Sequence, residues 1–568
     1  MKFKKLAALM LAGVMAFSVA ACGGGSGSGN SSGEDGSAAD TGAASAGSES
    51  GGNSTNNTAQ AADGMVDKVV FALTASDFDM SPFATGSTPR NWMVQNVYGS
   101  LYCMPFYGAS LEEMEPWLAK SCEKVDDLTY KVTLYENIHD SKGNAITSED
   151  IIFSYQMCYE VGADVRIGSY LDNIEAVDDQ TMLFHLKKSG PGVMEYLMGN
   201  YTLSICDKEW YEGASDEEKN NDPAATGAYK IVDYSQGASI TLEAVEDYWK
   251  TDEALRCVAE TQNVKTIEYK VITEASMRSI ALENGEIDAT VIDAGELKRY
   301  YSDGQALDGY TVNIADGTFC YTAFINMEPG QGSLADDENL RKAALYALDS
   351  ESIMYGGNFD EDTGSVCYSL GTPVMAGYED SWAEDYFNYD PDKAKEFYEA
   401  SGHKEGDVTI RLLSRTSIPD GIHSVMVANL QAAGFNVELI TYDQALFSTY
   451  NLDPSQWDLM LDNKGATGNI VTCWDNNFNP ENRKGNTVCF TQDDTLIDDL
   501  NAATATGSAE DIEKFHQHLK DLACCKGLFT SKTIIVGQDG ILNLTVNGNM
   551  EPRVNAFTFA QDYQSVAQ

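Results

Sequence analysis

An α/β fold in at least two lobes is what this chain of 568 residues predicts, on three observations. From Met65 onward about 500 residues carry ordinary apolar content, more than a single hydrophobic core takes up. Short β-like runs mix with well-capped helical stretches, and no repeat of fixed period runs through them. One stretch also spells a complete βαβ unit. It has a strand at Val408 to Leu412, a helix from about Gly421 to Ala433, Gly434 to end it, and a strand at Asn436 to Ile440.

The remaining elements follow in chain order. A strand at Lys68 to Thr74 opens the body, and Tyr130 to Leu134 and Thr181 to Lys187 alternate as half-buried strands do. Around Thr147-Ser148-Glu149-Asp150 a hydroxyl stands three residues before an acid. Ile151, Ile152 and Tyr155 follow at helical spacing, the pattern of a capping box. Asp390-Pro391 places a cap and a first-turn proline before Ala394, Phe397 and Tyr398, and Gly402 supplies a left-handed stop.

Ahead of this body lies a different kind of sequence. Lys2, Lys4 and Lys5 precede an apolar stretch from Leu6 to about Val19, then Ala20-Ala21-Cys22. A positive start, a short apolar run and small residues make residues 1–21 a signal peptide. The run is shorter than the roughly 20 apolar residues a membrane-spanning helix needs. Small residues before Cys22 resemble a bacterial lipobox, in which that thiol takes a diacylglyceryl group and the cut leaves the cysteine first; two acyl chains anchor stably. The expected location is the extracellular face of the cytoplasmic membrane of a Gram-positive cell. Residues 22–64 are almost entirely Gly, Ser, Ala, Asn and Thr, too poor in apolar groups to offset the entropy of ordering, and read as a disordered tether.

Charge and cysteine usage exclude several function classes. A formal net charge of −50 makes nucleic acid a partner this chain would repel. Twelve cysteines show no C-x-x-C spacing, so no disulfide or zinc framework can be read from them, and most are expected to be buried as small apolar groups. The six histidines are isolated, except His516 and His518, whose spacing points them in different directions on a helix. Neither H-E-x-x-H, nor a calcium loop, nor a G-x-S-x-G elbow occurs in the body, so no metal, cofactor or catalytic residue is expected.

Five ordered blocks carry a family resemblance. Asp126-Asp127-Leu128-Thr129-Tyr130-Lys131-Val132-Thr133-Leu134, then Asn137 to Gly143, then Thr147 to Tyr155, form a hairpin and helix start. Thr226-Gly227-Ala228-Tyr229 with Asp247-Tyr248-Trp249 comes next, then Asn284-Gly285-Glu286-Ile287-Asp288. Asn339 to Asp349 and Tyr389 to Ala394 complete the series. Together these resemble the family 5 extracellular solute-binding proteins, the peptide and nickel class that serves ABC importers.

That resemblance implies a two-lobed clamp of the periplasmic-binding type (class II, cluster C) with an extra subdomain. Lobe I would take residues 65–100, 225–311 and 524–568, the extra subdomain 101–224, and lobe II 312–523. A monomer would capture a short peptide between its lobes and present it to a membrane permease and ATPase complex, making and breaking no bond. A nickel complex or an oligosaccharide is the rival ligand, and a surface enzyme or adhesin the rival class.

Candidate ligand contacts follow from position. Ser76 and Phe78 lie in the loop after the first strand, and Trp92 and Tyr98 on the next helix, where helical spacing also suits core packing. The family's cleft segment falls on Asn463-Lys464-Gly465-Ala466-Thr467. Lys464 stands there in place of a tryptophan and Thr467 in place of the acid that holds a peptide amino terminus. Asp462 or Asp475 could supply the missing carboxylate, Lys464 could pair with an anionic group or simply with Asp462, and Trp474 adds an aromatic face.

Overall fold

A computed structural model of the chain describes residues 52–55, 60–75, 79–84, 88–199, 202–465, 468–480 and 489–567. Two mixed sheets organise it. The first has eight strands, in the order Gly52–Thr55, Tyr310–Ala315, Thr533–Gln538, Ala289–Ile292, Val66–Leu73, Val264–Val271, Ser239–Ala244 and Tyr229–Ser235. The second has six, in the order Gly364–Val366, Cys525–Ser531, Phe319–Ile325, Leu459–Gly465, Thr409–Arg415 and Asn436–Tyr442.

The opening strand shows why these residues pair as they do. Val66–Leu73 is almost continuously apolar, and its parallel neighbours flank it on both edges. Val69, Phe71 and Leu73 enter one core while Val70 and Ala72 enter another on the opposite face. A strand covered on both faces has no polar side to present. Thr181–Leu186, in a separate antiparallel sheet of four strands, instead alternates buried and half-buried positions.

Local signals hold where turn chemistry dictates them. The Asp150 carboxylate accepts the Thr147 N–H at 2.8 Å at the head of the Ser148–Glu160 helix. Asp390 accepts from the Lys393 N–H at 2.9 Å, and Gly402 and Gly434 both take left-handed backbone angles. Thr409–Arg415 and Asn436–Tyr442 lie parallel, joined by the Asp420–Ala432 helix, as the βαβ reading requires.

Three expectations shift. Gly52–Thr55, placed in the tether by composition, pairs antiparallel with Tyr310–Ala315 at the sheet edge. Edge pairing draws on backbone groups alone, so composition does not reveal it. Val312–Ala315 belongs to the first sheet rather than starting the second lobe, and Cys525–Ser531 belongs to the second sheet. Both strands run on from one sheet into the other through short joints, 316–318 and Lys532, with no break in apolar pattern to mark the passage. Among the described residues no helix is long and apolar enough to cross a membrane.

Candidate functional site

The two joints lie side by side. Tyr310–Ala315 pairs with Thr533–Gln538 in one sheet, and Phe319–Ile325 pairs with Cys525–Ser531 in the other. A Cβ added at Gly317 would stand 2.3 Å from the Ser531 carbonyl oxygen, so the passing backbones touch without side chains between them. Such a pair of short segments can absorb a change of backbone angle while both sheets stay rigid.

Beside the joints opens a cleft of about 410 Å³. From the first half it takes Trp92, Tyr107, Asn549 and Glu551, and from the second Phe319, Arg415 and Asn463. Arg415 and Asn463 stand at the carboxyl ends of two adjacent parallel strands. Outside the carboxyl ends of such strands is where open α/β sheets bind ligands.

The two walls differ in charge. Asp462 lies between two cations, 3.0 Å from Arg415 and 2.6 Å from Lys464. Arg415 also donates to Gln444 at 3.1 Å, while its buried Nε has no partner. Across the cleft the Glu551 carboxyl is pushed above the usual range by burial, against the pull of Arg553 and a 3.0 Å hydrogen bond from Asn547. Trp92 Nε1 on that wall is likewise buried and unbonded. Unmade hydrogen bonds of this kind cost about 1–3 kcal/mol each and are the donors a ligand would satisfy.

A second cavity, of about 180 Å³, lies between segments 104–110 and 191–199 on one side and 468–472 on the other; Asn549 lines both spaces. The halves meet closely here. At Gly108 an added Cβ would come within 2.9 Å of the Gly468 carbonyl, and at Gly190 within 1.8 Å of the Thr504 carbonyl.

The sequence-selected residues fall in three places. Trp92 and Asn463 line the cleft, and Lys464 sits beside it on Asp462. Trp474 and Asp475, on the Ile470–Phe478 helix, are fully buried. Trp474 donates to the Leu370 carbonyl at 2.8 Å. Asp475 accepts from Lys188 at 2.6 Å, Tyr170 at 3.3 Å and Asn479 at 2.9 Å, so its carboxylate ties the second half to the four-stranded region. Tyr98 is buried with its hydroxyl on the Met80 carbonyl. Ser76, Phe78, Ala466, Thr467 and Cys22 lie outside the described residues. Sequence reasoning passed over Arg415 and Glu551. The βαβ unit held the signal for Arg415, since it ends the first strand of that unit.

The family model for bacterial extracellular solute-binding proteins, family 5 (Middle), matches residues 113–481. The chain belongs to that family. Among relatives of this solute-binding protein, the oligopeptide-binding protein OppA of Bacillus subtilis is 24% identical over 376 residues, covering 62% of this chain and 64% of OppA. The dipeptide-binding protein of Escherichia coli is 21% identical over 402 residues, 64% and 71% of the two chains. The match thus spans somewhat less than two thirds of OppA. Among solved structures, Bacillus subtilis AppA in complex with a nonapeptide superposes with a TM-score of 0.68 at 17% identity, covering 89% of this chain and 100% of that one. NikA of Staphylococcus aureus in complex with Ni(L-His)2 gives 0.65 at 15% identity, covering 87% and 100%. These likenesses establish the two-lobed fold of periplasmic binding proteins.

Proposed function

We propose that this solute-binding protein captures short peptides in the cleft beside the two joints and delivers them to an ABC permease and its ATPase. The observation that carries the reading is the pair of polar groups facing each other across the cleft: Arg415 with a spare N–H on one wall, the Glu551 carboxyl on the other. A peptide brings both a carboxylate and an ammonium group, and main-chain groups for Asn463 and Asn549 to meet. The OppA and dipeptide-binding relatives support the same ligand class. The site serves recognition, and no bond is made or broken in it. Closure about the joints then favours the form that holds the ligand. The leader directs export, and a lipid on Cys22 tethers the body to the outer face of a single-membrane cell.

The test is thermal melting and native mass spectrometry of the purified protein. A defined mixture of short peptides should raise the melting temperature, and Arg415→Ala should weaken binding by about 2 kcal/mol, roughly thirtyfold, by removing one partner of a charged hydrogen bond. A melt unmoved by peptides but raised by a nickel–histidine complex or an oligosaccharide would replace the peptide with that ligand.

A further inference from the structure

Away from the cleft, two thiols and a carboxylate converge. The Sγ atoms of Cys103 and Cys257 and a carboxylate oxygen of Glu115 all lie within 4.8 Å of one another, with both cysteines buried and Glu115 half-buried. The backbone presents them deliberately. Cys103 and Glu115 are register partners in the short ladder of Tyr102–Cys103 and Glu115–Pro116. Cys257 caps the Val258–Glu260 turn.

We infer that Cys103, Glu115 and Cys257 form a binding site for zinc or another thiophilic divalent ion. Zinc–sulfur bonds of about 2.3 Å and zinc–oxygen bonds of about 2.0–2.2 Å put tetrahedral ligands some 3.5–3.8 Å apart, within reach of this cluster by small side-chain rotations. The ligand set, two sulfurs and one oxygen, suits a borderline-soft ion and leaves a fourth position for water on the Glu115 side. Binding exchanges two thiol protons for the ion, and both protons leave to solvent.

The surroundings hold the ligands in place. Glu260 accepts the Cys257 N–H at 3.0 Å and the Lys250 ammonium at 2.7 Å; that ammonium also donates to the Pro116 carbonyl at 3.1 Å. The Val258 N–H reaches Glu115 at 3.4 Å. Cys257 is therefore fastened to the Glu115–Pro116 strand before any ion arrives. Such outer partners are what orient metal ligands. The site also has a structural consequence. Cys103 and Glu115 close the two ends of segment 104–114, which lines the small cavity through Met104, Gly108 and Ser110 and the cleft through Tyr107. An ion would fix that wall from outside.

The experiment is a zinc titration of the full chain, purified reduced and free of chelator, with X-ray absorption at the zinc edge of the loaded protein. One ion per chain with two sulfur neighbours is expected, lost in C103S/C257S and kept in C320S/C367S, whose sulfurs lie 2.9 Å apart, closer than two ligands of one ion. E115Q should weaken binding by about tenfold or more. Retention of the ion by C103S/C257S or a sulfur count other than two would each overturn the assignment. If C103S/C257S does not fold, the wild-type sulfur count and the E115Q affinity decide it.

Discussion

Two of the places where the halves touch are built on opposite principles. At the joints, 316–318 and Lys532, the connection is covalent and the backbones lie against each other with Gly317 between them. At the far side, near the small cavity, the described residues meet through packing and through the buried Asp475 carboxylate, which takes Lys188 at 2.6 Å and the Tyr170 hydroxyl at 3.3 Å. The difference assigns roles. The joints endure any opening, whereas every contact at the far side must be given up for the halves to part. Free energy that biases closure is therefore concentrated in the far contact, and side-chain changes at the joints should be nearly silent.

The sharpest way to break this contrast is Lys188→Met. Asp475 is fully buried while Lys188 keeps 29% of its side chain exposed, so removing the lysine strands a buried carboxylate whereas removing the acid lets the ammonium reach water. A loss of about 3 kcal/mol is expected for Lys188→Met, with most of it recovered in the Lys188→Met/Asp475→Asn double variant. Thermal melting of the four proteins of the cycle measures it, and an additive cycle would show that the pair contributes nothing to closure. Gly190→Ala comes next. Its Cβ would overlap the Thr504 carbonyl in a backbone conformation unfavourable to alanine, at a cost of about 2 kcal/mol. Small-angle scattering should show a larger radius of gyration for this variant, and an unchanged radius would mean that the halves do not separate there.

Acid should loosen the far contact first. His516 stacks on Trp382 at 4.1 Å, Trp382 packs on Trp474 of the helix that carries Asp475, and burial, helped by Lys520, pulls the His516 pKa down to about 3. The unfolded chain takes a proton near pH 6.5 that the folded one refuses. Stability is therefore intact above that pH and falls as pH drops from about 6.5 toward about 3, with a slope approaching ~1.4 kcal/mol per pH unit. Melting temperature against pH should flatten in His516→Phe, which keeps a ring in the stack, and equal slopes in the two proteins would dismiss this residue as the cause. Lys532→Ala marks the small end of the scale, its half-buried side chain lying at a joint. A change within about 0.5 kcal/mol in the unliganded melt is expected, and a shift as large as that of Lys188→Met would erase the distinction between joint and far contact.

What the sequence made legible was local. Asp390-Pro391, Gly402, Gly434 and the Thr147–Asp150 box announce helix ends because a cap or a left-handed angle is decided within a few residues. The strand at Gly52–Thr55 was invisible because its four residues, Gly, Asn, Ser and Thr, contribute backbone pairing and no apolar pattern. The site divides the same way. Trp92 and Asn463 could be placed by their neighbours in the chain, while the meeting of Arg415 with Glu551 depends on how 135 intervening residues turn back, by way of the second joint. Asp475 was visible as a carboxylate near the cleft segment; its pairing with Lys188, 287 positions away, was not.

The passage of Cys525–Ser531 directly into Thr533–Gln538 has a consequence for how the molecule is made. Each of these strands fills an interior place in its sheet, between Gly364–Val366 and Phe319–Ile325 in one case and between Tyr310–Ala315 and Ala289–Ile292 in the other. The second sheet cannot be completed until the ribosome has passed residue 531, nor the first until it has passed residue 538. At about 5–20 residues per second that is on the order of a minute, during which the nascent chain holds two sheets with a gap in each. A chain that stays unfinished for so long remains threadable through a narrow pore until those two strands have been made.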